Sequence, residues 1–145
     1  MTIKEINAKT ILRKHKKIDS WFLSKIGMNL YRGCTHNCVY CDGRNEKYNV
    51  KGEFGCDVSV KINAIELLKK ELNPNKKIIP YSKDIIMLGG GVGDSYQPIE
   101  EKYRLTRKAL KVLFDYECPI SILTKSTLLY RDIDLIKKIN SKNQA

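Results

Sequence analysis

Three cysteines stand close together in the segment YRGCTHNCVYC. They are Cys34, Cys38 and Cys41, and their spacing is C-x3-C-x2-C. A structural zinc site needs four ligands, so His36 or the more distant Cys56 would have to complete it. An iron-sulfur cubane held by three thiolates keeps one iron open, and an open iron is a site of reaction. The spacing therefore leaves two alternatives, a non-catalytic zinc or iron-sulfur module and a reactive cluster.

The composition indicates the class of protein that must position these cysteines. The chain has 145 residues, 42% hydrophobic and 30% charged, which is typical of one globular domain. No apolar run is long enough to span a bilayer, and the N-terminus lacks the apolar segment of a signal peptide. We therefore predict a single cytoplasmic domain, residues 1–145, without membrane association. An odd count of five cysteines in a reducing compartment favours ligands over disulfides.

The net charge of +11 raises the question of nucleic-acid binding. The lysines are dispersed along the chain, and the densest basic segment is RKHKK at residues 13–17. Dispersed charge indicates compositional bias more than a binding groove, and the sequence shows no aromatic platform for bases. We expect duplex DNA to bind weakly, and replacement of the four Lys and Arg residues of this segment to change that binding little.

Hydrophobic periodicity predicts three strands that could carry chemically active loops. Residues 21–30 (WFLSKIGMNL) lead directly into the cysteines. Residues 84–88 (DIIML) and 119–123 (PISIL) are short apolar runs, typical of strands buried in a parallel sheet. Amphipathic helices follow each run, and this alternation indicates α/β units. We assign residues 1–20 to an N-terminal extension and residues 21–139 to βα units.

The helices also have predicted starting signals. Asn63 and Glu66 have capping-box spacing at the start of the first helix. The second is predicted as one long helix whose dipole is complemented by Glu100 and Glu101 in its first turn. Asp132 is the predicted cap of the third helix. Three isoleucines of that third helix are expected to face the core: Ile133, Ile136 and Ile139.

Each predicted strand ends in residues that could bind a ligand. The cysteines follow the first strand, GGGVGD (residues 89–94) follows the second and TKS (residues 124–126) follows the third. Because the carboxyl ends of parallel strands meet at one edge of a sheet, we expect one pocket to receive all three segments. Lys125 would place an ammonium group in that pocket, where it could pair with a carboxylate.

The cysteine spacing, with an aromatic residue before the last cysteine, resembles the signature of the radical S-adenosylmethionine (SAM) superfamily. Three segments look like successive blocks of the branch related to spore photoproduct lyase: NLYRGCTHNCVYCDGR, GDSYQPIEEKYRLTRKAL and ILTKSTLLYRDIDLIKKI. The resemblance implies an incomplete (β/α) barrel of the partial TIM type, with about three βα units in this chain. The chain would then be the N-terminal half of a larger core, and its uncovered edge would favour self-association or docking of the missing half.

By this resemblance, Cys34, Cys38 and Cys41 hold three irons of a 4Fe-4S cluster, and SAM chelates the fourth iron. An electron from the cluster splits SAM into methionine and a 5'-deoxyadenosyl radical, which abstracts hydrogen from the substrate. A low-potential donor of the flavodoxin or ferredoxin type would supply the electron. The resemblance thus implies a lyase-like enzyme, although a truncated chain, which would lack most of the substrate wall, is expected to turn over no substrate.

The resemblance also implies residues that bind SAM. Lys125 would pair with the SAM carboxylate, and Tyr40 would lie near the adenine. The superfamily often has an acidic residue after two glycines, and this chain has Gly91 there. Asp94 could supply that carboxylate, or it could serve a turn or a helix cap. The strand-end motif that binds the methionine amino group matches three glycines: Gly89, Gly90 and Gly91.

The substrate is not specified by these motifs, and no catalytic residue is assigned. Photoproduct lyases act on a thymine dimer in DNA, and the basic charge of the chain would suit that substrate. Their pattern has a Tyr directly after the third cluster cysteine, whereas this chain has Asp42. That departure argues against dimer repair and favours another activity within the branch.

Overall fold

The computed structural model describes residues 2–18, 23–48, 50, 52–75, 84–89 and 92–143. These residues form two β-sheets and four α-helices, so the α/β class is confirmed. The strands are β1 (Thr2–Ile6), β2 (Leu12–Lys14), β3 (Ile26–Met28), β4 (Tyr31–Arg32), β5 (Asp57–Lys61), β6 (Ile86–Leu88) and β7 (Ile120–Ile122). The α-helices are α1 (Ala64–Leu72), α2 (Glu100–Tyr103), α3 (Leu105–Asp115) and α4 (Ile133–Asn143). Short 3-10 helices occur at Asp42–Arg44, Glu46–Tyr48 and Thr127–Asp132.

The central sheet has the strand order β2-β3-β6-β7. Strands β3, β6 and β7 are parallel, and β2 pairs with β3 in the antiparallel direction. Met28 pairs with Leu88, and Leu88 pairs with Ile122, so the three parallel strands end at the same level. All of β6 is buried, as its continuous apolar sequence predicts. The three predicted strands are therefore present in shorter form, and the described residues are consistent with a partial barrel without showing its closure.

The N-terminal sheet has the order β1-β5-β4 and was not predicted. Strand β1 is parallel to β5, and β4 is antiparallel to it. The first 20 residues, assigned to an extension, thus contribute β1 to this sheet and β2 to the central one. Val58 and Val60 of β5 are buried in an alternating pattern that is short enough to escape notice in the sequence. Strand β4 leads the chain directly into the cysteines.

Helices α1, α3 and α4 form a row in which α1 contacts α3 and α3 contacts α4. Leu68 of α1 and Leu110 of α3 are fully buried, which stabilises the fold by about 2 kcal/mol for each side chain. The predicted capping box is wrong, because Asn63 makes no side-chain cap to α1. Its amide instead exchanges two 2.9 Å hydrogen bonds with the backbone of Ala8, which ties the N-terminal segment to α1.

The predicted long second helix is divided at Arg104, which has a left-handed backbone with φ of 53°. Glu100 and Glu101 do lie in the first turn of α2, but the Glu100 side chain is fully buried. Its carboxylate accepts hydrogen bonds from the backbone of Thr106 at 2.9 Å and of Arg107 at 3.4 Å, in the first turn of α3. Glu100, which was predicted at the start of one long helix, therefore caps α3, the second of the two helices into which that sequence is divided.

The start of α4 also differs from its prediction. Asp132 directly precedes the helix, but its buried carboxylate accepts hydrogen bonds from Arg107 at 2.8 Å and from Arg131 at 2.7 Å. Ile139 is buried, whereas Ile133 is 39% exposed, so the inward prediction for Ile133 is wrong. No α-helix in the described ranges is both long and apolar enough to cross a bilayer.

Candidate cofactor site

The segments that follow β3, β6 and β7 meet at one edge of the central sheet. These strands end at the same level, so the segments after them emerge side by side. Several contacts join the segments directly. Lys125 Nζ lies 3.0 Å from Cys38 Sγ, and the hydroxyl of Thr124 donates to the Asp94 carboxylate at 2.8 Å. The structure thus brings together the three segments that the sequence marked as chemically active.

The cysteine loop, residues 33–41, begins at a glycine required by a close backbone approach. Gly33 has φ of 85°, and a Cβ added there would lie 2.4 Å from the carbonyl oxygen of Asp57. Further along the loop, Arg44 Nε donates to the carbonyl of Cys38 at 3.1 Å, and its Nη2 donates to the preceding carbonyl at 3.2 Å. These contacts fix the turn that carries the second cysteine.

The ammonium group of Lys125 bonds two groups of the cysteine loop. Its Nζ lies 3.0 Å from Cys38 Sγ and 3.0 Å from the hydroxyl of Tyr40. The hydrogen bond from Lys125 lowers the pKa of the Cys38 thiol, and the same contact raises the pKa of Lys125. The Tyr40 side chain is 76% exposed, so it has no packing role in the core. This arrangement favours the Cys38 thiolate, which is the form that binds metals.

The other two thiols of the loop have different surroundings. Cys34 is buried, and its burial raises the pKa of its thiol. Cys41 is partly exposed, and its Sγ accepts a 3.4 Å hydrogen bond from Gly43 N. In the described part of the chain, no three His, Cys, Asp or Glu side chains are arranged to hold a metal ion. The three cysteines of the loop are therefore not arranged around a common metal position. The same is true of these cysteines taken together with His36 or Cys56 as a zinc set.

Asp94 joins the segment after β6 to the segment after β7. Its carboxylate accepts from Thr124 Oγ1 at 2.8 Å, from Lys125 N at 3.1 Å and from Tyr96 N at 2.8 Å. The structure therefore shows the turn role, one of the two expected for this residue. His36 Nε2 lies 3.2 Å from Asp94 Oδ2, but the direction is not that of a hydrogen bond. This buried nitrogen has no hydrogen-bond partner within the described ranges.

Gly89 follows β6 directly and has a backbone conformation that favours glycine. Its φ is 88°, and a Cβ there would lie 2.8 Å from the carbonyl oxygen of Gly93. Its N–H donates to Met28 O at 3.3 Å, so bare backbone lies beside the end of β3. Gly90 and Gly91, the rest of the predicted glycine motif, lie outside the described residues.

Gln97 holds the first part of the cysteine loop and was not singled out in the sequence. Its side chain is fully buried in a polar setting. Its Nε2 donates to Gly33 O at 3.1 Å, and its Oε1 accepts from Thr35 N at 3.1 Å. One amide group therefore bonds the backbone on both sides of Cys34.

Glu100 bonds the strand that leads into the cysteine loop. Its buried carboxylate accepts hydrogen bonds from the hydroxyl of Tyr31 and, at 2.7 Å, from Arg131. Burial, together with the Glu100 charge, raises the pKa of Tyr31, which lies on β4 just before the cysteine loop. Asp94, Gln97 and Glu100 stand three positions apart, and each bonds a different part of the site. This regular spacing of polar residues after β6 is the sequence signal by which Gln97 and Glu100 could have been found.

Other basic and thiol-bearing residues of the chain lie in other settings. Residues 13–17 are exposed at and after the end of β2, which forms one edge of the central sheet. Arg32 is exposed on β4. Cys118 is buried two residues before β7, with its Sγ 3.6 Å from Tyr116 O.

The donor set of the cysteine loop fits an iron-sulfur cluster in kind and number. Three thiols from one loop suit three irons of a cubane and leave the fourth iron open. The loop also carries two buried polar atoms, Thr35 Oγ1 and His36 Nε2, that have no hydrogen-bond partner in the described chain and are available to a group bound there. Cys34, Cys38 and Cys41 are thus the residues that would hold the cluster.

The Radical SAM superfamily model matches residues 28–143, which is most of the chain. The chain therefore belongs to the radical SAM superfamily. Members of this superfamily typically use a 4Fe-4S cluster and SAM for radical chemistry. The more specific assignment to the branch related to spore photoproduct lyase stays a prediction.

Similar proteins occur in an archaeon and in mycobacteria. An uncharacterized protein of Methanocaldococcus jannaschii is 41% identical over 119 residues, which cover 81% of this chain and 42% of that protein. Uncharacterized proteins of Mycobacterium bovis and Mycobacterium tuberculosis are each 36% identical over 113 residues, which cover 75% of this chain and 32% of theirs. The chain thus spans less than half the length of these relatives. No solved structure matches the chain significantly.

Proposed function

We propose that this chain forms the cluster-binding and SAM-binding part of a radical SAM enzyme that abstracts hydrogen from its substrate. The supporting observation is the cysteine loop, which carries three thiols at the edge where the segments of Asp94 and Lys125 meet. When bound, the cluster supplies one electron that cleaves SAM to methionine and a 5'-deoxyadenosyl radical. The protein must hold both groups and keep water out.

The three cysteines would act as the cluster ligands, each from a different environment. Cys34 is buried, so its corner of the cluster would be shielded from water. Cys38 lies beside the Lys125 ammonium, whose positive charge favours its thiolate and would offset negative charge on a bound cluster. Cys41 receives the backbone N–H of Gly43, a hydrogen bond that would remain available to a metal-bound sulfur.

The SAM-binding residues are proposed from the resemblance to the superfamily, and their placement supports that proposal. Lys125 would pair with the SAM carboxylate, since its ammonium already reaches the cysteine loop. Tyr40 would lie near the adenine, and its exposed ring leaves one face open. Gly89 would let the amino group approach bare backbone, together with Gly90 and Gly91. Asp94 is proposed to organise the two neighbouring segments, because its carboxylate already accepts hydrogen bonds from three donors, two backbone N–H groups and one hydroxyl.

The substrate and partners are proposed more broadly, because the relatives are more than twice as long as the matched region. A low-potential donor of the flavodoxin or ferredoxin type would supply the electron. DNA stays a candidate substrate by resemblance to the photoproduct lyase branch, although we expect it to bind weakly and to depend little on the exposed basic segment at residues 13–17. We propose lyase-like radical chemistry. We name no substrate, because Asp42 departs from the pattern of the photoproduct lyases.

Anaerobic reconstitution with iron and sulfide tests this proposal. We expect about four irons and four sulfides for each chain, because three loop thiolates can hold a cubane. Iron and acid-labile sulfide are measured after removal of loosely bound metal, and zinc is offered in a parallel sample. A chain that retains one zinc and no sulfide would instead support the non-catalytic module.

A further inference from the structure

The backbone on either side of Cys34 is held by a single buried side chain. Gln97 donates to Gly33 O and accepts from Thr35 N, each at 3.1 Å. The Gln97 side chain is fully buried, so water does not compete for either bond. A glutamine in this position therefore acts on the loop through two directed contacts.

The local backbone needs such support. Gly33 has a left-handed backbone and lies against the Asp57 carbonyl, so this part of the loop has little freedom to shift. Cys34 is the most buried of the three loop cysteines, and its side chain must keep one orientation to serve as a ligand. Pinning the amide on one side of this residue and the carbonyl on the other fixes the direction of its Cα–Cβ bond.

We propose that Gln97 is a positioning residue, which fixes Cys34 in the cysteine loop and slows the loss of metal from it. The proposal rests on the proposed function, since it takes the loop to be the cluster ligand set. Gln97 would touch neither the cluster nor SAM, because both of its polar atoms bond backbone groups. The effect of Gln97 on the backbone of the loop can therefore be measured in the absence of the cluster.

Two substitutions distinguish the hydrogen bonds from the volume of the side chain. Gln97→Met keeps nearly the same volume and removes both polar atoms. Gln97→Glu keeps an acceptor for Thr35 N and removes the donor to Gly33 O. Leu68→Ala in α1 is the control, because it creates a cavity in the core without touching the cysteine loop.

The first measurement is deuterium exchange of the Thr35 amide in the metal-free chain. It is compared with exchange of the Leu110 amide in α3, because a global loss of stability speeds both. Gln97→Met is expected to raise the ratio of Thr35 to Leu110 exchange about tenfold, the effect of one lost hydrogen bond. Gln97→Glu is expected to keep that ratio near the wild-type value. An unchanged ratio in Gln97→Met would overturn the proposal.

The second measurement is the rate of iron loss from the reconstituted chain to a chelator. We expect both Gln97 variants to lose iron about tenfold faster than wild type, and Leu68→Ala to lose it at the wild-type rate. Equal rates in wild type and Gln97→Met would contradict the proposal. A wild-type chain that takes up no iron would refute the cluster assignment itself, and exchange at Thr35 would still decide whether Gln97 positions the loop.

Discussion

Glu100→Ala is expected to destabilise the protein by about 3–5 kcal/mol, which is the cost of removing one partner from a buried charge pair. The carboxylate is fully buried and accepts from the hydroxyl of Tyr31, the backbone of Thr106 and the guanidinium of Arg131. Its removal would leave the hydroxyl of Tyr31 and the N–H of Thr106 without their acceptor and would uncap α3. Arg131 would keep its bonds to Asp132. Urea unfolding of the metal-free chain, followed by circular dichroism, measures the loss.

The next residue in the sequence provides a matched control for this variant. Glu101 is the same residue type on the same short helix, but it is exposed. Glu101→Ala is expected to change the free energy of unfolding by no more than about 0.5 kcal/mol. A similar effect of the two substitutions, or a loss below about 1 kcal/mol for Glu100→Ala, would show that the buried network does not hold this part of the fold.

Alanine in place of Cys34, Cys38 or Cys41 is expected to abolish the cluster. A cubane that keeps only two protein thiolates has two open irons and is lost readily to solvent. Each variant is reconstituted anaerobically beside wild type, and bound iron and the broad absorption near about 400 nm are measured. We expect less than about a tenth of the wild-type iron in each variant.

The two cysteines outside the loop serve as controls for these three variants. Cys56 lies in the turn before β5, and Cys118 lies just before β7. Cys56→Ala and Cys118→Ala are expected to keep the full iron content. A loss of metal in Cys56→Ala equal to that in the loop variants would make Cys56 a fourth ligand and would support the zinc alternative.

The apolar runs of the sequence predicted the central sheet well. The continuous run before the glycines became β6, buried throughout, and PISIL became β7 beside it. Because parallel strands end at one edge, the same reasoning predicted that the cysteine loop and Lys125 would lie close together. This part of the architecture follows from local composition and from one general rule of parallel sheets.

The sequence did not predict the polar contacts between distant segments. Glu100 looked like an ordinary acid in a first helical turn, and only its partners Tyr31 and Arg131 show why it is buried. The left-handed Arg104 divides a sequence that has unbroken helical periodicity. Gln97 looked unremarkable for the same reason, since its two bonds reach back to the cysteine loop. Such pairings depend on the assembled fold, and the regular spacing of Asp94, Gln97 and Glu100 was the one local signal of them.

Three further features stay predictions from the sequence: cytoplasmic location, self-association and the SAM contacts of Tyr40 and Lys125. The weak binding of DNA expected for residues 13–17 belongs to the same group. In the structure, that segment is exposed, and Lys125 lies 3.0 Å from both Cys38 Sγ and the Tyr40 hydroxyl. Substitutions at these residues would test the predicted DNA and SAM contacts.

In the proposed site, the three-cysteine loop would leave one iron open for SAM. The most direct test is electron paramagnetic resonance of the reduced, reconstituted chain, recorded with and without saturating SAM. Ligation of the open iron by the amino and carboxylate groups of SAM would alter the electronic surroundings of the cluster, so we expect the spectrum to shift. S-adenosylhomocysteine and free methionine, added separately, identify the groups that produce the shift. A reduced cluster whose spectrum is the same with and without SAM would contradict the account.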